Sequence, residues 1–339
     1  MPTAATSAPS PLSRSGTTAG PRRSPSGPRT SPRARHFRCN EASGQGHPVT
    51  LELALQAAVS GLLLGGIYAL IALALALVFG VMRVLNFAHG DLLLIAMYGM
   101  VLLDRALGLH PYASIVVLAP LMGAVGWAMF VVFIRPLLAS SVLMQAQLTI
   151  GISFMIQSAA LMIFGADLMI VHTAFENSTW SVGGIVIGVP LLAAFAVSVC
   201  TCAFVGWFLA RTETGCRIRA TAQDPVMAQL CGVAVPRVQK LVFAASIAVL
   251  AIAAGSLMTF FHVTPHTGVQ FSILSLLIVV LGGLGDLKGT FIGALLIGLA
   301  ESLAGAAFDS ALAPAVIYIL FGLALLFRPR GLFGRGSIA

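Results

Sequence analysis

Long apolar runs separated by short polar stretches cover the chain from residue 52 onwards. Most of them approach or exceed the ~20 residues with which an α-helix crosses a bilayer. They predict hydrophobic segments at residues 52–82, 88–103, 112–134, 145–165, 182–210, 238–260, 272–284 with 289–307, and 313–327. The pattern therefore predicts an all-α fold, a polytopic transmembrane helical bundle of about eight spans with broken or re-entrant segments.

The composition agrees with this pattern. Hydrophobic residues make up 58% of the chain, charged residues 9%, and the mean hydropathy is +0.98. A soluble domain carries about 25% charged residues, so a soluble fold is excluded. A transmembrane β-barrel would show alternating segments of about 10 residues, and the sequence contains none.

The first 48 residues differ from the rest. They are rich in Pro, Ser and Gly and hold seven of the nineteen basic residues, which predicts a disordered tail before a membrane domain at 49–339. Without this tail, twelve basic residues stand against ten acidic ones, a balance that gives no reason to expect nucleic-acid binding.

Positive charges assign the loops to the two sides of the membrane, because cytoplasmic loops attract Lys and Arg. The loop 211–240 and the C-terminal stretch 328–339 are both basic, which predicts that the loop and the C-terminus face the cytoplasm. Counting spans backwards puts Arg83 and Arg135 on the same side. The outer side then receives the loop 166–181 with Glu176, the stretch around His262 to Gly268, and the region of Asp309.

Two polar, glycine-containing stretches interrupt the apolar runs. NFAHGD supplies Asn86, His89, Gly90 and Asp91, and GGLGDLKG supplies Gly282, Gly283, Gly285 and Asp286. Unwound backbone at membrane depth survives only when it is buried in protein or faces water, and interrupted segments in both halves of a transporter mark its pathway. These eight residues are therefore expected to form helix breaks or part of a substrate pathway, with the two breaks approaching each other.

NFAHGD permits two interpretations. Asn86 caps the following helix, Gly90 lets the backbone turn and Asp91 lies near the positive helix end, or these residues contact a substrate or gate. Neither a metal nor a catalytic site is predicted, because His89 and Asp91 lack a third ligand and no HExxH pattern exists. Lys288-Gly289-Thr290 does not have the Walker A order, so no nucleotide site and no cofactor are expected in the chain itself.

The loop 211–240 predicts a short helix. Asp224 is an N-cap residue, Pro225 suits the first helical position and Gly232 suits a left-handed C-terminal cap. The helix would show an apolar side that packs on its own bundle or docks into another subunit, formed by Val226, Met227 and Leu230.

The stretches GGIYALIALALALVFGVMRVLNFAHGDLLLIAMYG, GCRIRATAQDPVMAQLCGV and VVLGGLGDLKGTFIGALLIGLAES resemble LivH-type permeases of bacterial branched-chain amino-acid ABC transporters. The resemblance implies a non-enzymatic permease subunit in the cytoplasmic (inner) membrane. It also implies a second permease, two cytoplasmic ATP-binding subunits that bind the ATP, and an extracytoplasmic substrate-binding protein. The ATPase-coupling loop would contain Gly215, Arg217, Ala220, Asp224, Pro225, Ala228 and Gly232.

The sequence is also compatible with three alternatives. Relatives in the same family carry urea, short amides or aromatic acids. An ion-coupled secondary transporter would need a buried titrating group, for which Asp91, Asp286 and Glu301 are the candidates. An intramembrane enzyme would need a catalytic partner for His89.

The tail permits two interpretations as well. Residues 1–48 are upstream sequence translated from a mis-called start, with the true start near Val49. Otherwise a re-entrant turn at Gly61, Gly65 or Gly66 leaves the N-terminus in the cytoplasm.

Overall fold

The computed structural model describes residues 51–138, 140–171, 178–182, 185–307, 312–328 and 331–333, with Leu51, Val182 and Ile185 described by their backbone only. The helices are α1 (Leu51–Met82), α2 (His89–Leu107), α3 (Pro111–Met129), α4 (Arg135–Leu137), α5 (Val142–Phe164), α6 (Val189–Arg211), α7 (Glu213–Gln223), α8 (Pro225–Leu230), α9 (Val235–Leu257), α10 (Thr267–Gly282), α11 (Leu287–Ala307) and α12 (Ala313–Phe327). A two-stranded antiparallel hairpin of β1 (Thr179–Val182) and β2 (Ile185–Gly188) precedes α6. The predicted N-terminal tail, Glu176 and Asp309 lie outside the described residues.

Six helical stretches in the described residues are long and apolar enough to cross a membrane: Glu52–Met82, Pro111–Leu137, Val142–Phe164, Val189–Arg211, Val235–Leu257 and Leu287–Ala307. The apolar helices α10 and α12 are shorter, with 16 and 15 residues. The prediction of a polytopic helical bundle with interrupted segments is confirmed. The apolar run 182–210 is corrected at its start, where Ile185–Gly188 pairs in the hairpin because β-branched residues favour strands.

The central helix is α1, in which every residue from Gly65 to Val78 is buried. It continues through Gly61 without interruption, so a re-entrant turn in this run is wrong. These glycines serve packing instead. A Cβ on Gly61 would lie 2.7 Å from the carbonyl oxygen of Gly298, and one on Gly65 would lie 2.9 Å from that of Ala294. The backbones of α1 and α11 thus cross closely, as small residues allow in membranes.

A second antiparallel pair, α3 and α9, packs in the same way. A Cβ on Gly126 would lie 2.9 Å from Cγ1 of Ile247, and Gly255 leaves room for Ile115. Beyond α3 the chain continues as one π-helical turn, Phe130–Ile134, into α4. Pro136 explains this turn, because it has no N–H to donate to the preceding turn.

The two ends of the bundle differ in charge. At one end, here called the basic end, Leu332 N donates to Leu281 O at 2.8 Å, and Gly285 lies against Gly80. At the opposite end Val186 N donates to Gln56 Oε1 at 2.9 Å. Of the ten described Lys and Arg residues, all but Arg105 lie at the basic end: Arg83, Arg135, Arg211, Arg217, Arg219, Arg237, Lys240, Lys288 and Arg328.

Candidate functional site

The chain re-enters the bundle after α1. Arg83 has a positive φ of 54°, and the residues up to Ala88 are irregular before α2 begins at His89. His89 is fully buried and its Nε2 donates to the carbonyl oxygen of Ile71 at 3.0 Å. Because Ile71 lies eleven residues before the end of α1, the start of α2 is roughly 16 Å inside the bundle. The predicted helix break at NFAHGD is therefore confirmed.

The local roles predicted within this break need correction. The N-cap position of α2 is Ala88, which makes no side-chain cap, and Asn86 Oδ1 instead accepts from Ala88 N at 3.1 Å. The backbone turns at Arg83, whereas Gly90 lies in the first turn of α2. Gly90 is needed because a Cβ would overlap the carbonyl oxygen of Gly268 and lie 2.5 Å from Ser272 N.

Ser272 joins the break to α10. Its Oγ accepts from Gly90 N at 2.8 Å and donates to the carbonyl oxygen of Phe87 at 2.9 Å. The two halves of the chain therefore meet where α2 and α10 begin, and each helix presents its N-terminal, positive end there.

Asp91 lies at this meeting point, fully buried in the first turn of α2. Its Oδ2 accepts from the hydroxyl of Ser153 in α5, and Gln157 Nε2 donates to that hydroxyl at 2.9 Å. Its Oδ1 lies beside Gly268 and has no hydrogen-bond partner among the described residues. The carboxylate is thus paired inside the protein rather than directed into lipid, as mid-membrane charges require.

Two other buried polar atoms in this segment also have no hydrogen-bond partner in the described part of the chain. They are Asn86 Nδ2 and His89 Nδ1. Because Nε2 of His89 carries the proton that it donates to Ile71, its Nδ1 is an open acceptor in the neutral ring. The break therefore presents open donors and acceptors inside an otherwise apolar bundle, which is unusual for a purely structural segment.

The second break separates α10 from α11. Gly283 and Gly285 have φ values of 108° and 85°, which glycine adopts without strain. Asp286 Oδ1 caps α11 by accepting from Lys288 N at 2.9 Å and Gly289 N at 3.3 Å. Gly282 and Gly289 lie back to back, since a Cβ on either would overlap the other's backbone. The predicted break is present and forms a tight turn at the basic end.

The NFAHGD and GGLGDLKG breaks do not lie against each other. The prediction that the two breaks approach each other is therefore wrong. NFAHGD contacts the first turns of α10 at Gly268 and Ser272, whereas the second break starts after α10 ends. Ser272 and Gly283 are eleven residues apart, roughly 16 Å along the helix. The cause is the depth at which α2 and α10 begin, which no local sequence pattern specifies.

The loop after α6 folds as two helices at the basic end. Thr212 caps α7 by accepting from Gly215 N at 3.0 Å, and Gly215 packs on the last turn of α6, where a Cβ would lie 2.5 Å from Leu209 O. Arg217 is exposed and pairs with Glu213 at 3.8 Å, while Ala220 is half-buried. The sequence pattern did not predict α7 as a separate helix, although Thr212 is a recognisable N-cap residue.

The predicted short helix is confirmed as α8. Asp224 Oδ1 accepts from Val226 N at 2.8 Å and Met227 N at 3.0 Å, Pro225 is the first helical residue, and Gly232 has φ +84°. Ala228 is buried against the bundle.

The apolar side of α8 is uncovered. Val226, Met227 and Leu230 are 65%, 60% and 77% exposed, so these side chains do not pack on their own bundle.

Sequence reasoning missed Ser153, Gln157 and Ser272, which hold the first break. Ser153 and Gln157 are four residues apart on an apolar helix, a spacing that places them on one face and could have indicated a polar contact. Within the described ranges, no group of three His, Cys, Asp or Glu residues is placed to hold a metal ion.

The fold and this interrupted interior define a polytopic helical membrane protein of a kind typical of membrane transport. The chain belongs to the family described as "Branched-chain amino acid transport system / permease component", whose sequence profile matches residues 57–328. It is accordingly a multi-pass inner membrane protein of the permease type.

Several relatives are similar over most of their length. The high-affinity branched-chain amino acid transport system permease protein BraD of Pseudomonas aeruginosa is 30% identical over 300 residues, which cover 84% of this chain and 97% of that protein. LivH of Escherichia coli, described in the same words, is 30% identical over 305 residues, covering 84% and 96%. A probable branched-chain amino acid transport permease protein LivH of Methanocaldococcus jannaschii is 28% identical over 249 residues, covering 69% and 76%. No solved structure matches the chain.

Proposed function

We propose that this chain is the membrane-spanning permease subunit of an ATP-binding-cassette importer for branched-chain amino acids. The observation that carries the proposal is α8, a capped helix at the basic end whose apolar side is uncovered. Such a face needs a partner, and helix-in-groove docking is the common solution. The relatives named for branched-chain amino acid transport supply the substrate class.

Membership of this permease family supports a proposal for the partners. They are a second permease subunit, two cytoplasmic ATP-binding subunits that receive α8, and an extracytoplasmic substrate-binding protein. The chain itself binds no nucleotide and no cofactor in this proposal. The basic end, the C-terminus and α8 face the cytoplasm, because Lys and Arg accumulate on that side. The helices α2, α10 and α12, with 19, 16 and 15 residues, would add further crossings to the six longer stretches.

A movement of α8 has a direct route into the bundle. α8 is joined to α7, and α7 packs on α6, α1 and α9. When the ATP-binding subunits close, they would push α8 and α7 against the ends of these helices. The pathway would run past the helix breaks, at Asn86, His89, Gly90 and Asp91, and past the turn at Gly282, Gly283, Gly285 and Asp286. Alternating access then arises from shifts of packed helices.

Two other functions have support in particular observations. Import of urea, short amides or aromatic acids would use the same fold, and the binding protein would decide between these substrates. An ion-coupled secondary transporter is supported by the buried carboxylate of Asp91 and by half-buried Glu301, whose Oε2 has no hydrogen-bond partner in the described segments. Intramembrane ionisable residues often mark ion pathways.

One experiment separates these functions. The chain is purified with its partner subunits, reconstituted in proteoliposomes with the binding protein, and supplied with radiolabelled leucine, urea or phenylalanine. We expect leucine uptake that requires ATP and survives dissipation of the proton gradient. Uptake by the chain alone, without ATPases, would contradict the proposal. Uptake that collapses with the proton gradient and persists without ATP would identify a secondary transporter.

A further inference from the structure

The N-termini of α2 and α10 meet inside the bundle without side-chain caps. Gly90 N reaches Ser272 Oγ, and a Cβ on Gly268 would lie 3.0 Å from Cα of Asp91. The first main-chain N–H groups of a helix have no partner within the helix, and its N-terminus carries a positive partial charge. The positive ends of two helices therefore converge on one small volume.

Asp91 is the negative group in this volume, and only half of its carboxylate is used. Ser153 donates to Oδ2, whereas Oδ1 points at the first turn of α10 and accepts no hydrogen bond from the described residues. The side chain is 0% exposed, so bulk water does not satisfy this oxygen. An open acceptor on a buried charged group is costly, which suggests that a ligand supplies the missing donor during the working cycle.

We propose that Asp91 receives the ammonium group of the transported amino acid and that the uncapped start of α10 receives its carboxylate. This inference rests on the function proposed above. An ammonium group has three donors and no acceptor, which suits Oδ1 of Asp91. A carboxylate suits the N–H groups at a helix N-terminus, and transporter half-helices bind anionic substrate groups in this way.

The geometry matches the shape of a zwitterion. In an amino acid the ammonium and carboxylate groups are separated by one carbon atom, and here the carboxylate of Asp91 lies directly beside the backbone of Gly268. Both substrate charges would be satisfied at once. The surrounding bundle is apolar at this depth, with Leu92, Leu93 and Met97 all fully buried nearby on α2.

Access to the subsite requires α5 to move. α5 covers Asp91 through Ser153, and it is a peripheral helix on which Phe154 and Met162 are 65% and 87% exposed. When α5 leaves, Asp91 loses the hydroxyl of Ser153 and gains the substrate ammonium group in exchange. While Ser153 contacts Asp91, α5 holds the subsite shut.

The first test uses the complete assembly in proteoliposomes and measures leucine uptake per ATP hydrolysed. Asp91→Asn keeps the size and polarity of the side chain and removes the charge, and Asp91→Glu restores the charge. We expect Asp91→Asn to lower the ratio by about tenfold or more, since a hydrogen bond to a charged group contributes about 1.5–3 kcal/mol. Asp91→Glu should recover part of the ratio. The control is Asp104→Asn, at the far end of α2, which should leave the ratio unchanged.

Three outcomes of this test would contradict either the subsite or the proposed function. An unchanged ratio in Asp91→Asn overturns the subsite. Uptake and ATP hydrolysis that fall together, equally in the Asn and Glu variants, show that Asp91 only holds the helices together and also overturn it. A wild-type assembly without ATP-dependent leucine uptake contradicts the proposed function instead, because that result does not depend on Asp91.

A second test needs no variant and so is independent of folding. The wild-type assembly is purified without binding protein, and its thermal unfolding is followed with L-leucine, with 4-methylpentanoate, which lacks the ammonium group, and with 3-methylbutylamine, which lacks the carboxylate. A ligand that binds the native state raises the unfolding temperature. We expect L-leucine to raise it more than either analogue. Equal shifts for L-leucine and 4-methylpentanoate, or no shift with L-leucine, would overturn the subsite.

Discussion

The imidazole of His89 donates a hydrogen bond to the main-chain carbonyl oxygen of Ile71, 3.0 Å away in the middle of α1. Both residues are almost completely buried. This contact fixes the first residue of α2 at mid-depth in the bundle. It explains why a polar segment lies between two apolar runs: the segment brings a helix N-terminus into the interior.

His89→Leu removes this hydrogen bond and replaces the imidazole with an apolar side chain of similar size. Hydrogen bonds between membrane helices contribute about 0.6–2 kcal/mol, so we expect a lower thermal unfolding temperature in detergent. His89→Gln, which keeps a donor, should lose less. The control is His262→Leu, at an exposed position of the opposite end. Equal stability of His89→Leu and the wild type would show that the contact does not hold α2 in place.

We expect that adding one methyl group where α1 and α11 cross destabilises the bundle. Gly61→Ala would place a Cβ 2.7 Å from Gly298 O and 2.8 Å from Ser302 Cβ. Overpacking of this kind costs about 1–3 kcal/mol. The matched control is Gly305→Ala on α11, where a Cβ meets nothing within 4 Å. Thermal unfolding and yield of monodisperse protein should fall for Gly61→Ala only. If both variants behave alike, the crossing is looser than the structure indicates.

Gly232 ends α8 with φ +84°, a conformation that β-branched residues avoid. Gly232→Val should disfavour this cap by about 1–2 kcal/mol and misplace the helix, while the membrane bundle stays intact. We expect ATP hydrolysis by the assembly to become uncoupled from leucine uptake. Gly232→Asn is the control, because Asn tolerates a left-handed cap. Normal transport and an unchanged ATPase rate in Gly232→Val would show that α8 is not the coupling element.

Leu230 is 77% exposed on the apolar side of α8, and we expect it to be buried by an ATP-binding subunit. Leu230→Glu should therefore reduce the amount of ATPase that co-purifies, without lowering the thermal stability of the isolated chain. Gln229→Glu adds the same charge to an exposed neighbouring position and should have a smaller effect. Full ATPase retention in Leu230→Glu would place the docking surface elsewhere.

The sidedness is testable by cysteine labelling. Cys231, at the exposed end of α8, is kept as the single cysteine, and a second variant carries only Leu168→Cys, at an exposed position of the opposite end. A membrane-impermeant maleimide should label Leu168→Cys in intact cells and Cys231 only after the membrane is opened. The reverse pattern would invert the orientation, since the positive charges predict a cytoplasmic α8.

Some features of this protein depend on local sequence alone. The lengths and composition of the apolar runs determine a polytopic helical bundle, because the bilayer requires long apolar helices. Asp224, Pro225 and Gly232 determine α8, since caps act between residues that are neighbours in the chain. The positive φ values of Gly283 and Gly285 belong to the same class, and both helix breaks are visible as glycines and polar residues inside apolar sequence.

Other features depend on residues that are far apart in the chain, and only the tertiary structure decided them. Gly90 is required by Gly268 and Ser272, Gly61 by Gly298, and Asp91 meets Ser153 across 62 residues. A glycine has the same sequence pattern whether it turns the backbone or admits a neighbouring helix. Which role it has depends on the depth and crossing of the helices. Those are determined by the packing of whole helices, which local spacing does not encode.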